Sequence, residues 1–347
     1  ERIVEERVQK TKEAAAARRA FAAKQEELVE QRDRIHALVN MLHIISTTDM
    51  PEAAKQELLD REIDEFKNAP GIYRLKPDLI REARAHMALV ADGRPPPATG
   101  LPLAELRCAT GSGKTLFVPQ YLADYVLPPR RLPSDRPSRV LVLVPTRMIA
   151  EQVAAKAAEL RGETVGRSVG FSIGGKRQMD VAGHASTRIV YMTYMLFVKG
   201  ELQSNPDLQG YDSIIFDEAH KSQADVNVAV GLIPIIRQRC PRALIFVSSA
   251  TLPDRLVTSL GSNYTRRFVL DRRDYPVEET SSPPQDDDEE GDVVGHMLKV
   301  LDEVVQRGPL AGNVLCFLPN KKNLATAAQQ AAGKYRQLEV MAIHAHC

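Results

Sequence analysis

The sequence predicts an α/β protein, in which a parallel-sheet phosphate-binding domain follows a helical region and precedes the opening of a second α/β domain. Three observations lead there. Short apolar runs alternate with helical stretches between about residues 98 and 271. A glycine-rich loop ending in Lys-Thr joins one such run to a helix. Before residue 93 the chain holds one glycine, Gly71, among Ala, Glu, Arg, Lys and Gln, which are strong helix formers.

Taken in order, residues 1–97 read as a helical extension. Phe21, Leu28, Ile35 and Leu42 recur every seventh residue, while the companion positions include Lys24 and Gln31. One apolar residue per heptad is too thin for a two-stranded coiled coil, so the pattern predicts a long helix laying one stripe on a neighbouring surface. Pro51 and Pro77 stand where first helical turns would begin, which predicts two shorter helices over 51–68 and 77–91. Residues 92–97, Asp-Gly-Arg-Pro-Pro-Pro, break the pattern and mark a boundary.

From 98 to 271 the runs 139–145, 188–193, 213–217 and 243–248 are short and mostly apolar, with the strand candidate 103–108 before them and helical stretches such as 150–160 between them. Continuous apolar strands are buried on both faces, as in parallel sheets. Residues 272–292, with Pro283-Pro284 and the acidic run 286–290, predict a solvated linker. Residues 293–347 begin a second α/β pattern: helix 293–307, strand 313–318, helix 322–333 and strand 338–343.

Composition sets limits. At 347 residues, and roughly 150 per domain, about two domains fit. With 44% hydrophobic and 26% charged residues, wholesale disorder is excluded. The formal charge is +1, from 46 basic and 45 acidic side chains, so any nucleic-acid-binding surface is local. The longest apolar candidate, 226–236, is interrupted by Asn227, Gly231 and Pro234, which argues against a spanning helix and a membrane partner. Cys108, Cys240, Cys316 and Cys347 are far apart, without zinc or disulfide spacing. An intracellular, reducing compartment is expected, and the start at Glu1 suggests an excerpt of something longer.

The chemistry concentrates in two motifs. Gly111-Ser112-Gly113-Lys114-Thr115 lies between the strand 103–108 and the helix 116–125. In that context backbone N–H groups and the helix N-terminus face phosphates, the Lys114 ammonium neutralises them and the Thr115 hydroxyl reaches magnesium. Roughly a hundred residues later, the apolar run 213–217 ends in Asp217-Glu218-Ala219-His220. Adjacent carboxylates at a strand's C-terminal end suit magnesium (Asp217, with Glu218 beside it) and the orientation of an attacking water by Glu218.

Together, Ala109-Thr110-Gly111-Ser112-Gly113-Lys114-Thr115 and Asp217–His220 resemble the superfamily 2 helicases, specifically the DEAH-box RNA helicase family. Pro119-Gln120 resembles that family's extension of the loop, 144–150 its motif Ia, 191–195 its motif Ib and 248–252 its motif III. Residues 275–278 resemble the segment by which such proteins leave the first RecA-like domain, and 314–319 the opening strand of the second. The resemblance covers roughly 98–345. It implies RecA-like domains, ATP with other nucleoside triphosphates also accepted, magnesium, and single-stranded RNA or an RNP as partner. A protein partner is expected to dock on the N-terminal helices.

The resemblance further implies a nucleotide-sensing contact for His220, against the ordinary reading of a core histidine. Ser249 and Thr251 would couple the Asp217–His220 loop to the other domain, with capping of the next helix the alternative. Thr146, Arg147 and Thr193 would contact RNA phosphates, again with capping as the alternative. Two departures stand out: Cys108 occupies a position where the family has a small residue, and motif Ia carries Thr146-Arg147 instead of two arginines. Cys108 reads as a buried thiol. Motifs V and VI, with the arginine fingers, are not among these residues. The function implied is an ATP-dependent RNA helicase or RNP-remodelling ATPase; the alternative is a nucleotide-binding scaffold with little turnover.

Overall fold

The computed structural model describes residues 2–67, 70–91, 103–128, 138–179, 187–251, 266–270, 292–306, 312–336 and 338–343, with side chains of α1 described at 18 and from 20 onward. The 92–97 boundary, most of the 272–292 linker and the 275–278 segment lie outside the described residues. The chain divides into two compact units, Glu1–Tyr275 and Pro276–Cys347.

In the first unit, helices α1 (Arg2–Thr47), α2 (Glu52–Lys67) and α3 (Lys76–Ala91) precede the sheet, with a 3-10 turn at Gly71–Leu75. The sheet strands are β1 (Leu103–Cys108), β2 (Arg139–Val144), β3 (Val169–Ile173), β4 (Lys176–Gln178), β5 (Ile189–Thr193), β6 (Tyr211–Phe216), β7 (Leu244–Ser249) and β8 (Arg266–Leu270). Their order across the sheet is β4-β3-β5-β2-β6-β7-β1-β8, and only the β3–β4 pair is antiparallel. Helix α4 (Lys114–Tyr125) follows β1 and α5 (Arg147–Leu160) follows β2; α6 (Ala224–Gly231) and α7 (Ile233–Arg239) follow β6.

Strand residues alternate between two apolar layers, as a pleat requires. Val140, Val142 and Val144 join a cluster with Val118, Leu122, Ala150 and Ala154, whereas Leu141 and Leu143 join Val226, Ala229, Ile233 and Ile236 on the opposite face. The N-terminal helices belong to the first layer through Met41, Ile45, Ile72, Leu79, Ile80 and Ala83.

Two expectations are corrected. The heptad stripe does not pack: Phe21, Leu28 and Ile35 are 66%, 59% and 51% exposed, while Ala37, Met41 and Ile45 are buried. Among the described side chains of α1, those of its last turns reach the core, along an i, i+4, i+8 row offset from the heptad positions.

In the second unit, α8 (Val293–Gln306) and α9 (Lys321–Lys334) form as expected, with Leu301, Ala331 and Tyr335 as their core. Tyr335 OH donates to Asp302 Oδ1 at 2.6 Å. The segments 313–318 and 338–343 are irregular rather than strands, and line a cavity of about 310 Å³. Apolar runs become parallel strands only when neighbouring edges supply the ladder and helices cover both faces. Among the described residues these segments have no such partners.

Candidate nucleotide site and strand-end rim

Because β6, β7 and β1 are adjacent and parallel, their C-terminal ends converge on one rim. That convergence closes a sequence separation of 102 residues to a hydrogen bond: Thr115 Oγ1 donates to Asp217 Oδ2 at 2.5 Å. Beside it, Lys114 Nζ stands 3.0 Å from Glu218 Oε1.

The loop between β1 and α4 is built on two left-handed residues, Gly111 and Gly113, both at φ +86°. A Cβ at Gly113 would lie 2.8 Å from Phe117 Cδ2 and 3.2 Å from Pro70 Cβ, so both conformation and space require glycine there. Thr110 lies in the turn, and Ser112 is buried with no partner for its Oγ, a polar group turned into the loop without a protein acceptor. Cys108 is fully buried at the end of β1, in keeping with its reading as a thiol held in apolar surroundings.

Helix α4 carries Pro119, which cannot supply the N–H that would bond the carbonyl of Thr115. Tyr191 of β5 replaces it, its hydroxyl donating to Thr115 O at 3.1 Å. Burial, reinforced by the charge of Asp217, pushes the Tyr191 pKa well above the usual phenol value, so it remains a donor. Sequence reading did not single out this hydroxyl. The signal was the proline inside a predicted helix, which leaves a carbonyl in need of a donor from the facing strand.

Glu218 is held at φ +53°, a strained conformation for a non-glycine residue that costs on the order of 1–3 kcal/mol. Hydrogen bonds fix the backbone around it. Asp217 N–H donates to Leu143 O, Ala219 N–H to Ser248 O and Lys221 N–H to Glu218 O, while Tyr194 OH donates to Asp217 O at 2.7 Å. The strained turn aims the Glu218 carboxylate across the rim at Lys114.

His220 bridges two site elements: Nε2 lies 3.5 Å from Glu218 Oε2, and Nδ1 lies 2.7 Å from Ser249 Oγ. Ser249 donates its single proton to Thr251 O at 2.8 Å, which makes its oxygen the acceptor for an Nδ1–H of His220. Ser249 therefore touches the Asp217–His220 loop through its side chain. Thr251 meets Ser249 through its backbone, its N–H donating to Ser249 Oγ at 3.1 Å.

Asp217 is the most perturbed acid here. Burial raises its pKa, against the opposing hydrogen bond from Thr115 and the Lys114 charge. Its Oδ1 is buried without a hydrogen-bond partner. An orphaned carboxylate oxygen next to a threonine hydroxyl is a hard-oxygen donor set that suits magnesium. No group of three or more His, Cys, Asp or Glu among the described residues offers a metal cage. A cation here would thus rely on few protein oxygens plus phosphate and water, the usual magnesium arrangement.

The remaining predicted residues lie on the same rim, at the ends of β2 and β5, where Val144 pairs with Thr193. Thr146 is the N-cap of α5, its hydroxyl oxygen accepting from Ile149 N–H at 3.3 Å. Arg147 is exposed with its guanidinium lying over Gly174, 2.9 Å from where a Cβ would stand. Thr193 is buried. Arg237 and Arg239 close α7 in its last turn. No helix among the described residues is long and apolar enough to cross a membrane.

Comparison with known proteins agrees with this geometry. Residues 102–259 match the DEAD/DEAH box helicase family model. The probable ATP-dependent RNA helicase DHR2 of Saccharomyces cerevisiae is 27% identical over 237 residues, covering 67% of this chain and 30% of that protein. Among solved structures, the Escherichia coli DEAH/RHA helicase HrpB superposes with a TM-score of 0.57 at 23% identity, over 77% of this chain and 30% of that one. A second structure, of the E. coli DExH-box NTPase HrpB, gives 0.54 at 23% identity, over 74% and 29%. The chain thus spans about 30% of the length of the relatives it matches. Family model, sheet order and the convergence of the glycine-rich loop and acidic strand end point the same way: residues 102–259 of this chain are similar to a DEAD/DEAH box helicase domain.

Proposed function

We propose that the chain is the ATP-binding part of an ATP-dependent RNA helicase or RNP-remodelling ATPase of DEAH type. The observation that carries this reading is the pairing of Lys114 and Thr115 with Glu218 and Asp217 across one rim. Phosphates entering the loop compete with Glu218 for the Lys114 ammonium. Gly111–Thr115 presents backbone N–H groups and the N-terminus of α4 to the β- and γ-phosphates. Asp217 and Thr115 would hold magnesium, which supplies charge neutralisation on the β- and γ-oxygens.

Glu218, released from Lys114, orients a water in line with the γ-phosphorus and takes its proton as the new P–O bond forms and ADP leaves. His220 and Ser249 relay the position of Glu218 to the end of β7. RNA phosphates are assigned to Arg147, with Thr146 and Thr193 at the neighbouring strand ends. Thr146 keeps only its hydroxyl proton for that role, since its oxygen already caps α5. Other nucleoside triphosphates are accepted alongside ATP.

The test pairs two variants in the protein that carries this domain. Lys114→Ala should abolish binding of a fluorescent ATP analogue while circular dichroism stays unchanged. Glu218→Gln should keep affinity within a few-fold but lower turnover by at least ~10²-fold, the lower range for losing a general base. Turnover equal to wild type in Glu218→Gln would favour a nucleotide-binding scaffold over a motor.

A further inference from the structure

The N-terminal helices lie outside the segment that matches the helicase family, yet they touch the phosphate loop. Ile72 N–H donates to Ser112 O at 3.1 Å, and Pro70 Cβ abuts Gly113. In a trans peptide the C=O and the following N–H point in opposite directions. A donor fixed behind the Ser112 carbonyl therefore aims the Gly113 N–H away from it, toward the concave side of the loop. As the second residue of a 3-10 turn, Ile72 has no acceptor within that turn, so its N–H is available for this role.

Helix α4 is held by the same segment. Glu62 and Lys76 are both fully buried, with Lys76 Nζ 2.7 Å from Glu62 Oε2 and 2.7 Å from Glu65 Oε2. From α4, Tyr125 OH donates to Glu62 Oε2 at 2.8 Å and Tyr121 OH to Glu65 Oε1 at 2.7 Å. Tyr73 OH donates to the other Glu62 oxygen at 2.6 Å. The Lys76 ammonium also lies over the rings of Tyr121 and Tyr125, at 4.6 and 4.8 Å. At the far end of α4, Arg84 Nε of α3 donates to Tyr125 O at 2.7 Å. A buried ion pair contributes little net stability against an apolar replacement, but it admits few alternative geometries once every donor and acceptor is used.

We propose that Glu62 and Glu65 of α2, together with residues 70–76, form a positioning clamp for the nucleotide site. The Glu62–Lys76–tyrosine cluster fixes α4, and the Ile72 amide fixes the Ser112–Gly113 peptide, so that phosphate affinity depends on a segment outside the family domain. Ile72, Glu62 and Lys76 are positioning residues, since they act on the phosphates through Ser112 and α4. The clamp rests on the reading of this loop as a nucleotide site, and its test separates the two.

In the 347-residue chain, Ile72→Pro removes the N–H at a first-turn position that tolerates proline, and Gly71 lacks the Cβ that would crowd the ring. Ile72→Ala removes similar apolar volume but keeps the N–H, and is the reference. Without nucleotide, hydrogen exchange at Ser112, Gly113 and Lys114 should be at least tenfold faster in Ile72→Pro than in Ile72→Ala. Affinity for a fluorescent ATP analogue should fall about tenfold between the same two variants.

Equal exchange and equal affinity would overturn the clamp. If the wild-type chain binds no nucleotide, the reading of the site falls, and the exchange comparison still decides the clamp. Should Ile72→Pro fail to fold, the Tyr121→Phe/Tyr125→Phe double variant keeps both rings and loses both hydroxyls. It should speed exchange at the same amides and weaken the analogue at least threefold; wild-type values for both would equally overturn the proposal.

Discussion

At Asp217 a carboxylate is buried at the price of fold stability. Its native pKa is raised by burial, so the folded state binds that proton more tightly than the unfolded chain does. Stability contributed by the protonated form is complete below the unfolded value, near the ordinary carboxylate value of about 4, and is lost as pH rises through the native value. Above the native value the penalty is fully present. Asp217→Asn keeps the shape and an acceptor for Thr115 Oγ1 but removes the charge. The variant should therefore melt higher than wild type at a pH above the native value of Asp217 without nucleotide, with the gap closing as pH falls through it. Thermal melts from pH 8 down to pH 5 check this, and a gap that widens in acid would refute it. Glu218 shows a parallel cost in its backbone, where the left-handed φ persists because hydrogen bonds pin the peptides around it.

Among the elements, α1 and α4 show how little periodicity says about which face is used. The apolar stripe of α1 is solvent-facing at Phe21, Leu28 and Ile35, while Met41 is fully buried. Met41→Ala should cost about 2–5 kcal/mol by urea unfolding, the range for truncating a buried side chain. Phe21→Ser and Leu28→Ser should each stay within about 0.5 kcal/mol, as exposed substitutions do. A large loss at Phe21 would mean that the exposed stripe packs after all. Against α4, Tyr191→Phe in β5 should cost about 1–3 kcal/mol, because the Thr115 carbonyl, already deprived of its helical donor by Pro119, is left without the hydroxyl as well. The same equilibrium unfolding measurement checks it.

For the whole molecule, the phosphate loop, the acidic strand end and the strand-end rim all lie in the unit Glu1–Tyr275. Binding should therefore be a property of these 347 residues by themselves. Turnover is another matter. An arginine finger contributes on the order of 10³–10⁵ in rate where one is present, and the motifs expected to carry it, V and VI, are not expected among these residues. The 347-residue chain should bind Mg–ATP yet release phosphate barely above background, without stimulation by single-stranded RNA. Steady-state phosphate release with and without RNA measures this. Robust RNA-stimulated turnover would mean that the γ-phosphate site is completed from within the chain, with Arg237 and Arg239 the first residues to test.

What the sequence determined by itself is the part written in local chemistry. Two glycines before Lys114-Thr115, and an apolar run ending in Asp217-Glu218, specify a strand–loop–helix and a strand end whatever surrounds them, because backbone sterics and burial act residue by residue. Continuous apolar runs likewise declared a parallel sheet, and Pro51 and Pro77 marked where α2 and α3 begin. Tertiary structure decided the rest, because it depends on which surfaces meet. The adjacency of β6, β7 and β1 brings Thr115 to Asp217. The α1 stripe was legible as apolar but not as exposed, since periodicity records hydrophobicity and not the presence of a partner. The runs 313–318 and 338–343 carry strand-like residues yet form no ladder, since strand formation requires neighbours. The contact of Ile72 with Ser112 left no trace in the sequence, because a backbone amide meeting a backbone carbonyl carries no side-chain signature.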